Sequence, residues 1–183
     1  MKTKQLQIGE EVRRLRTALG MSVRTLAARA EFSPSFISQM EHNQVSPSIA
    51  SLERIAAVLG VTLAGLLAPS ARNPGAVVRA SDRQRLASSW SRARIEALGG
   101  STKQEAVMIT IAAGGRSGRD PTNHPGEEFG LVFEGTVSFT LGEDVHHLER
   151  GDSVSFSSET PHLWENSGSE AAKIAIVSPR FTH

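Results

Sequence analysis

A chain of 183 residues, 39% of them hydrophobic, has length for one or two domains and a sizeable core. Its net charge is +1, yet residues 1–68 carry 8 Lys and Arg against 5 Asp and Glu and the remainder 12 against 14, so the basic part is N-terminal. The absence of cysteine excludes disulfides, thiol nucleophiles and cysteine metal sites. An N-terminus without an apolar signal core, and no run near the ~20 apolar residues of a membrane span, predict a cytoplasmic protein without a membrane partner.

Ile8, Val12, Leu15 and Leu19 recur at helical spacing and Gly20 follows as a stop, which predicts a first helix. Ser22 caps a second, with Val23, Leu26 and Ala27, ending near Ala30. A third starts at Ser33 with Pro34 in the first helical position, where a missing N–H costs nothing, and runs to about Glu41 with Ile37 and Met40 inward. Asn43 stands where a left-handed residue would end that helix. After the Ser46-Pro47 loop, Ser48 caps a fourth helix with the stripe Ile49, Leu52, Ile55, Ala56 and Leu59, stopped by Gly60. Leu63, Leu66 and Leu67 predict a short fifth. The tight break Glu31-Phe32-Ser33 between the second and third helices describes a helix-turn-helix.

The run Met21-Ser-Val-Arg-Thr-Leu-Ala-Ala-Arg-Ala-Glu-Phe-Ser-Pro-Ser-Phe-Ile-Ser-Gln-Met-Glu-His-Asn43, with Ser46-Pro-Ser-Ile-Ala-Ser-Leu52 and Ala56-Ala-Val-Leu-Gly-Val61, strongly resembles the Cro/CI (XRE-type) class of DNA-binding domains over residues 8–68. The resemblance implies that the third helix enters the major groove with Ser33, Ser35, Ser38 and Gln39 as readers, the Gln39 amide being able to pair bidentately with adenine. It places phosphate contacts at Ser22, Arg24, Asn43 and Gln44. Many relatives carry Gln after the Ser22 position; Val23 stands there in this chain, which implies one backbone contact fewer. The competing reading makes these polar side chains the solvated faces of a small helical domain. Because one helix-turn-helix covers one half-site, the resemblance implies a homodimer on a double-stranded DNA operator, with half-sites roughly 34 Å apart.

Pro69-Ser-Ala-Arg-Asn-Pro-Gly75 is turn-rich and lacks apolar period, so a linker is expected at 69–76, between a DNA-binding domain at 1–68 and a second domain at 77–183. There the pattern turns to short β-prone runs: 92–98, 106–112, 127–134, 136–141, 145–148, 153–156 and 172–177. Gly-rich or polar turns separate them, which argues for an antiparallel sandwich or barrel. In the run 127–134, Glu128, Gly130 and Val132 share one face, and Phe129, Leu131 and Phe133 form an apolar opposite face, expected to be covered by sheet or by a second protomer. Arg92 and Arg94 are expected on one strand face, as contacts for an anionic effector or as rim charges. His42, His146, His147 and His183 read as solvated, and Trp90, Phe139, Phe156 and Trp164 as core or pocket wall.

His124 and Glu128, an even number of residues apart, would point to one side of an extended chain. Thr122, His124, Glu128 and Gly135 match the first motif of the cupin family, and Gly151, His162 and Asn166 match the second in register, with Ser157 and Glu159 in its Pro and Gly places. Residues 77–181 therefore resemble a cupin, a double-stranded β-helix, and the whole chain an α+β regulator with a five-helix DNA-binding domain and a cupin sensor. Metal-holding cupins commonly use three His and one Glu. Here Thr122 stands at the first His, leaving His124, Glu128 and His162 as a 2-His-1-carboxylate set for a divalent first-row ion such as Fe, Zn, Ni or Mn. Otherwise the two histidines hydrogen-bond Glu128 around a small-molecule effector, with Thr122 and Trp164 among its contacts. The alternative of another class is a mononuclear iron enzyme resembling the hydroxypropylphosphonate epoxidases, against which stands the lack of any tyrosine.

Overall fold

The computed structural model describes residues 8–67, 77–100 and 103–179; the expected linker at 69–76 and His183 lie outside the described residues. Five helices come first: α1 (Ile8–Ala18), α2 (Val23–Ala30), α3 (Pro34–Glu41), α4 (Ile49–Val58) and α5 (Leu63–Leu67). Ser22, Ser33 and Ser48 each accept a hydrogen bond from the backbone N–H three residues on, at Thr25, Phe36 and Ser51, and so satisfy one orphan donor per helix start. Asn43 is left-handed at φ 56°, and its side-chain oxygen accepts from the Gly9 N–H at 3.1 Å, joining the end of α3 to the start of α1. The same two helices are locked by a buried pair: Arg16 Nε donates to Glu41 Oε1 at 2.5 Å and Nη2 to Oε2 at 2.9 Å, while Nη1 donates to the Met21 carbonyl at 2.7 Å. Val12, Leu26, Ile37, Met40, Leu52 and Ile55 fill the space between the helices. Leu19 departs from the expected stripe: α1 ends at Ala18, and Leu19 is 48% exposed.

Among the described residues, nine antiparallel strands follow: β1 (Arg85–Ser88), β2 (Ala93–Gly100), β3 (Gln104–Ile111), β4 (Glu127–Glu134), β5 (Thr136–Leu141), β6 (Asp144–Glu149), β7 (Ser153–Ser157), β8 (His162–Glu165) and β9 (Ala172–Pro179). They form a six-stranded sheet, β1-β2-β3-β9-β4-β7, and a three-stranded sheet, β6-β5-β8. The sheets meet through Phe139 on one and Phe156 on the other, ring centroids 4.9 Å apart, with Trp164 4.1 Å from Phe139. Gly130 makes room for that ring; a Cβ there would stand 3.0 Å from the Trp164 indole. Gly135 turns β4 into β5 at φ 77°, where a side chain would also meet Ala172.

One expectation is corrected and two are narrowed. Arg92 lies in the turn before β2, at φ 48°, so it does not share a strand face with Arg94, which approaches Glu96 at 3.6 Å. Trp90, expected as core or pocket wall, is 42% exposed in that turn and is pocket wall, bordering a surface groove. The outer face of β4 is uncovered in the single chain, with Phe129 42% and Phe133 57% exposed.

The helical unit is hydrogen-bonded to the barrel through α4. The first N–H groups of a helix have no partner within it; those of Ile49 and Ala50 donate to Ser91 Oγ at 3.1 Å and to the Ser117 carbonyl at 3.0 Å. Ser88 Oγ donates to the Pro47 carbonyl at 2.7 Å. Just before α5, buried Thr62 donates to the Glu105 carboxylate on β3. Apolar residues of both units form one continuous core. Among the described residues, no helix is long and apolar enough to cross a membrane.

Candidate functional site

The predicted DNA contacts lie on or next to α2 and α3 of the helical unit. Ser22, Arg24, Ser33, Ser35, Gln39, Asn43 and Gln44 are exposed, and Ser38 is half-buried. Three have intramolecular work. The Ser22 and Ser33 hydroxyls cap α2 and α3, and Asn43 binds Gly9. Arg24, Ser35, Gln39 and Gln44 project from the two helices and the turn after α3, in the arrangement by which a helix-turn-helix presents side chains to a groove and its phosphates.

In the barrel, His124 lies beside both Glu128 and His162, but it reaches Glu128 by another route than the extended strand that their spacing suggested. His124 precedes β4, held by its N–H to the Ser158 carbonyl at 2.9 Å, and the chain turns through Gly126 at φ 116° before Glu127 starts the strand. His124 Nε2 nevertheless ends 3.9 Å from Glu128 Oε1. His162 opens β8, and the two imidazoles meet edge to face at 5.2 Å between centroids.

Both rings have a fixed tautomer. His162 Nδ1 lies 3.0 Å from the Thr160 carbonyl, and His124 Nδ1 3.3 Å from the Pro125 carbonyl. A carbonyl only accepts, so each Nδ1 carries a proton in this hydrogen bond. His124 Nε2 is buried with no hydrogen-bond partner. A buried imidazole nitrogen without a hydrogen-bond partner is open to a metal ion, and a backbone bond from the other ring nitrogen is the usual way of orienting such a ligand. Burial, with a smaller contribution from nearby His124, pushes the His162 pKa down to about 4, so the ring is neutral at neutral pH. Burial also raises Glu128, against the opposing effects of His124 and of the Ser178 hydroxyl, which donates to Glu128 Oε1 at 3.0 Å.

The fourth group at this place comes from the other domain. Glu53 of α4 brings a carboxylate oxygen within 4.8 Å of nitrogens on both His124 and His162. Burial of that carboxyl, reinforced by the neighbouring Glu128 charge, raises its pKa well above the ordinary carboxylate range. Glu53, Ala57, Thr62 and Leu63 from the helices, with His124 and Glu128 from the barrel, line a small cavity of about 30 Å³. Two predicted contacts stand elsewhere. Thr122 pairs with His162 through backbone bonds in both directions, at 3.1 and 2.9 Å, and borders a separate groove with Phe32, Arg54 and Trp90. Trp164, 5% exposed, packs among Phe139, Phe156 and Gly130 in the core. Two-His-plus-carboxylate donors suit a divalent first-row ion.

Comparisons with known proteins agree with this two-part plan. A helix-turn-helix family model matches residues 12–66, and a cupin-domain model matches residues 107–178. The chain is 25% identical over 176 residues to the HTH-type transcriptional regulator PuuR of Escherichia coli, with 95% of each chain covered. It is 23% identical over 159 residues to the HTH-type transcriptional regulator SutR of Escherichia coli, covering 87% of this chain and 86% of that one. Its backbone matches a crystal structure of a helix-turn-helix family transcriptional regulator from Vibrio cholerae with a TM-score of 0.74, at 25% identity and 94% coverage of each chain. The chain is a helix-turn-helix transcriptional regulator with a cupin domain.

Sequence reading of the regulator's site missed Glu53. It was legible in part: Glu53 lies four residues after Ile49 and three before Ala56, within the inward stripe of α4, where an acidic residue stands out.

Proposed function

We propose that this regulator binds a double-stranded DNA operator sequence-specifically, as a homodimer in the cytoplasm, and that a small molecule or metal ion bound in the barrel cavity changes its operator affinity. Gln39 and Ser35 on α3 read base edges, and Arg24 and Gln44 meet phosphates. One observation carries the coupling: the wall of the cavity is shared between the barrel and helices α4 and α5. Filling the cavity therefore acts on the helices that support the DNA-reading unit.

His124 and His162, with a neighbouring carboxylate, would hold the metal. A divalent ion there supplies positive charge facing buried carboxyls. At about 30 Å³ the cavity admits an ion or one to two waters. A larger effector requires α4 and α5 to move off the barrel, which would itself be the transmitted signal.

Selection from a random DNA library at moderate salt tests the reading. An enriched palindromic or repeated half-site supports it; binding without preference over random DNA contradicts it.

A further inference from the structure

We infer that Glu53 is a metal ligand supplied across the domain boundary: with His124 and His162 it forms a site for a divalent first-row cation, and an ion held there ties helix α4 to the cupin barrel. This rests on the reading of the barrel cavity as the sensing site, and it assigns that site's chemistry and its route to the helical unit.

The donor atoms of the three residues all lie within 4.8 Å of one another, so a single ion between them reaches all three after sub-ångström to ångström adjustments of side chains. The two imidazoles are prepared for this, each with its Nδ1–H directed at a backbone carbonyl, and His124 Nε2 is buried without a partner on the cavity side. Two nitrogens and one oxygen select zinc, iron, nickel or cobalt over magnesium and calcium, which prefer oxygen shells. Glu128, 3.9 Å from His124 Nε2 and anchored by Ser178, stands next to the site as a further oxygen or as balancing charge.

Glu53 also sits one helical turn beyond Ile49 and Ala50, whose N–H groups are bonded to Ser91 and Ser117 of the barrel. An ion on Glu53 would thus add a second tie to a helix already fixed at its start.

The test uses the full chain stripped with chelator and titrated with Co²⁺, followed by its visible ligand-field absorption, and with Zn²⁺ in competition. Wild type is expected to bind one equivalent with the absorption of a low-coordinate nitrogen and oxygen site. Loss of even an outer partner of a metal ligand typically weakens binding ~10- to 100-fold, so Glu53→Gln is expected to weaken it by at least about 100-fold, as does His124→Ala. Hydrogen exchange provides the second readout: Zn²⁺ should protect the α4 amides in wild type and not in Glu53→Gln. If His124→Ala loses the metal while Glu53→Gln keeps wild-type affinity and α4 protection, the assignment of Glu53 is overturned and the barrel still senses metal. If wild type binds neither Co²⁺ nor Zn²⁺, the metal site is overturned, and operator selection separately decides DNA binding.

Discussion

The carboxylate of Glu53 and a ring nitrogen of His124 come within 4.8 Å of each other, although one belongs to a helix of the DNA-binding unit and the other to the loop before β4. A carboxyl whose pKa is raised chiefly by burial disfavours folding at neutral pH unless a cation compensates it. Replacing Glu53 by Leu should therefore raise the urea midpoint of the chelator-treated chain, by about 1 kcal/mol. The same replacement should abolish the stabilisation that Zn²⁺ gives wild type, about 2.7 kcal/mol at a hundred times Kd. Urea unfolding with and without Zn²⁺ checks both halves.

His162 gives a pH dependence of defined sign. Its folded pKa is about 4 against 6.5 unfolded, so the unfolded chain binds more protons between those values. Stability from keeping this ring neutral is fully present above pH 6.5 and is lost as pH falls toward 4, roughly 3 kcal/mol in all. Glu53 and Glu128 act oppositely, since raised carboxyl pKa values favour the fold in acid and lose that contribution as pH rises above the usual carboxylate value. The difference between wild type and His162→Asn in chelator, measured from pH 4 to 7, isolates the histidine: the variant should lose less stability on acidification.

Much of the helical unit is legible because its signals are local. Ser22, Ser33-Pro34, Asn43 and Ser48 announce helix ends through bonds made within a few residues, and each helix end falls where those residues stand. The barrel is less so. The four residues of β1 are too short to show a period, and the φ of 48° at Arg92 breaks a run that reads as strand. At His124 and Glu128 the convergence is right and the route wrong, since Pro125 and Gly126 turn the chain where a strand was expected. Helical spacing tells which face Glu53 occupies; it carries no information about what that face meets, so the partnership with His124 and His162 belongs to tertiary structure.

The buried Arg16–Glu41 pair fixes α3 against α1. Removing one partner strands the other charge, so Glu41→Ala should cost about 3–5 kcal/mol. Chemical denaturation measures the loss, which should exceed that from Arg14→Ala, whose pairing with Glu11 is at the exposed surface.

Gln39 and Arg24 should separate reading from anchoring. Gln39→Ala on a selected operator should lose about 1–3 kcal/mol and relax preference at one base pair. Arg24→Ala should weaken all sequences alike and reduce the slope of log affinity against log salt by about one. Binding to matched and single-base variant operators over a salt series distinguishes the two.

The most direct test of the coupling between cavity and DNA is operator affinity measured by fluorescence anisotropy on the same protein in chelator and in saturating Zn²⁺. Wild type should change by about 5-fold or more between the two states, and Glu53→Gln should not change. Equal wild-type affinities in both states, with zinc shown to be bound, would contradict the account.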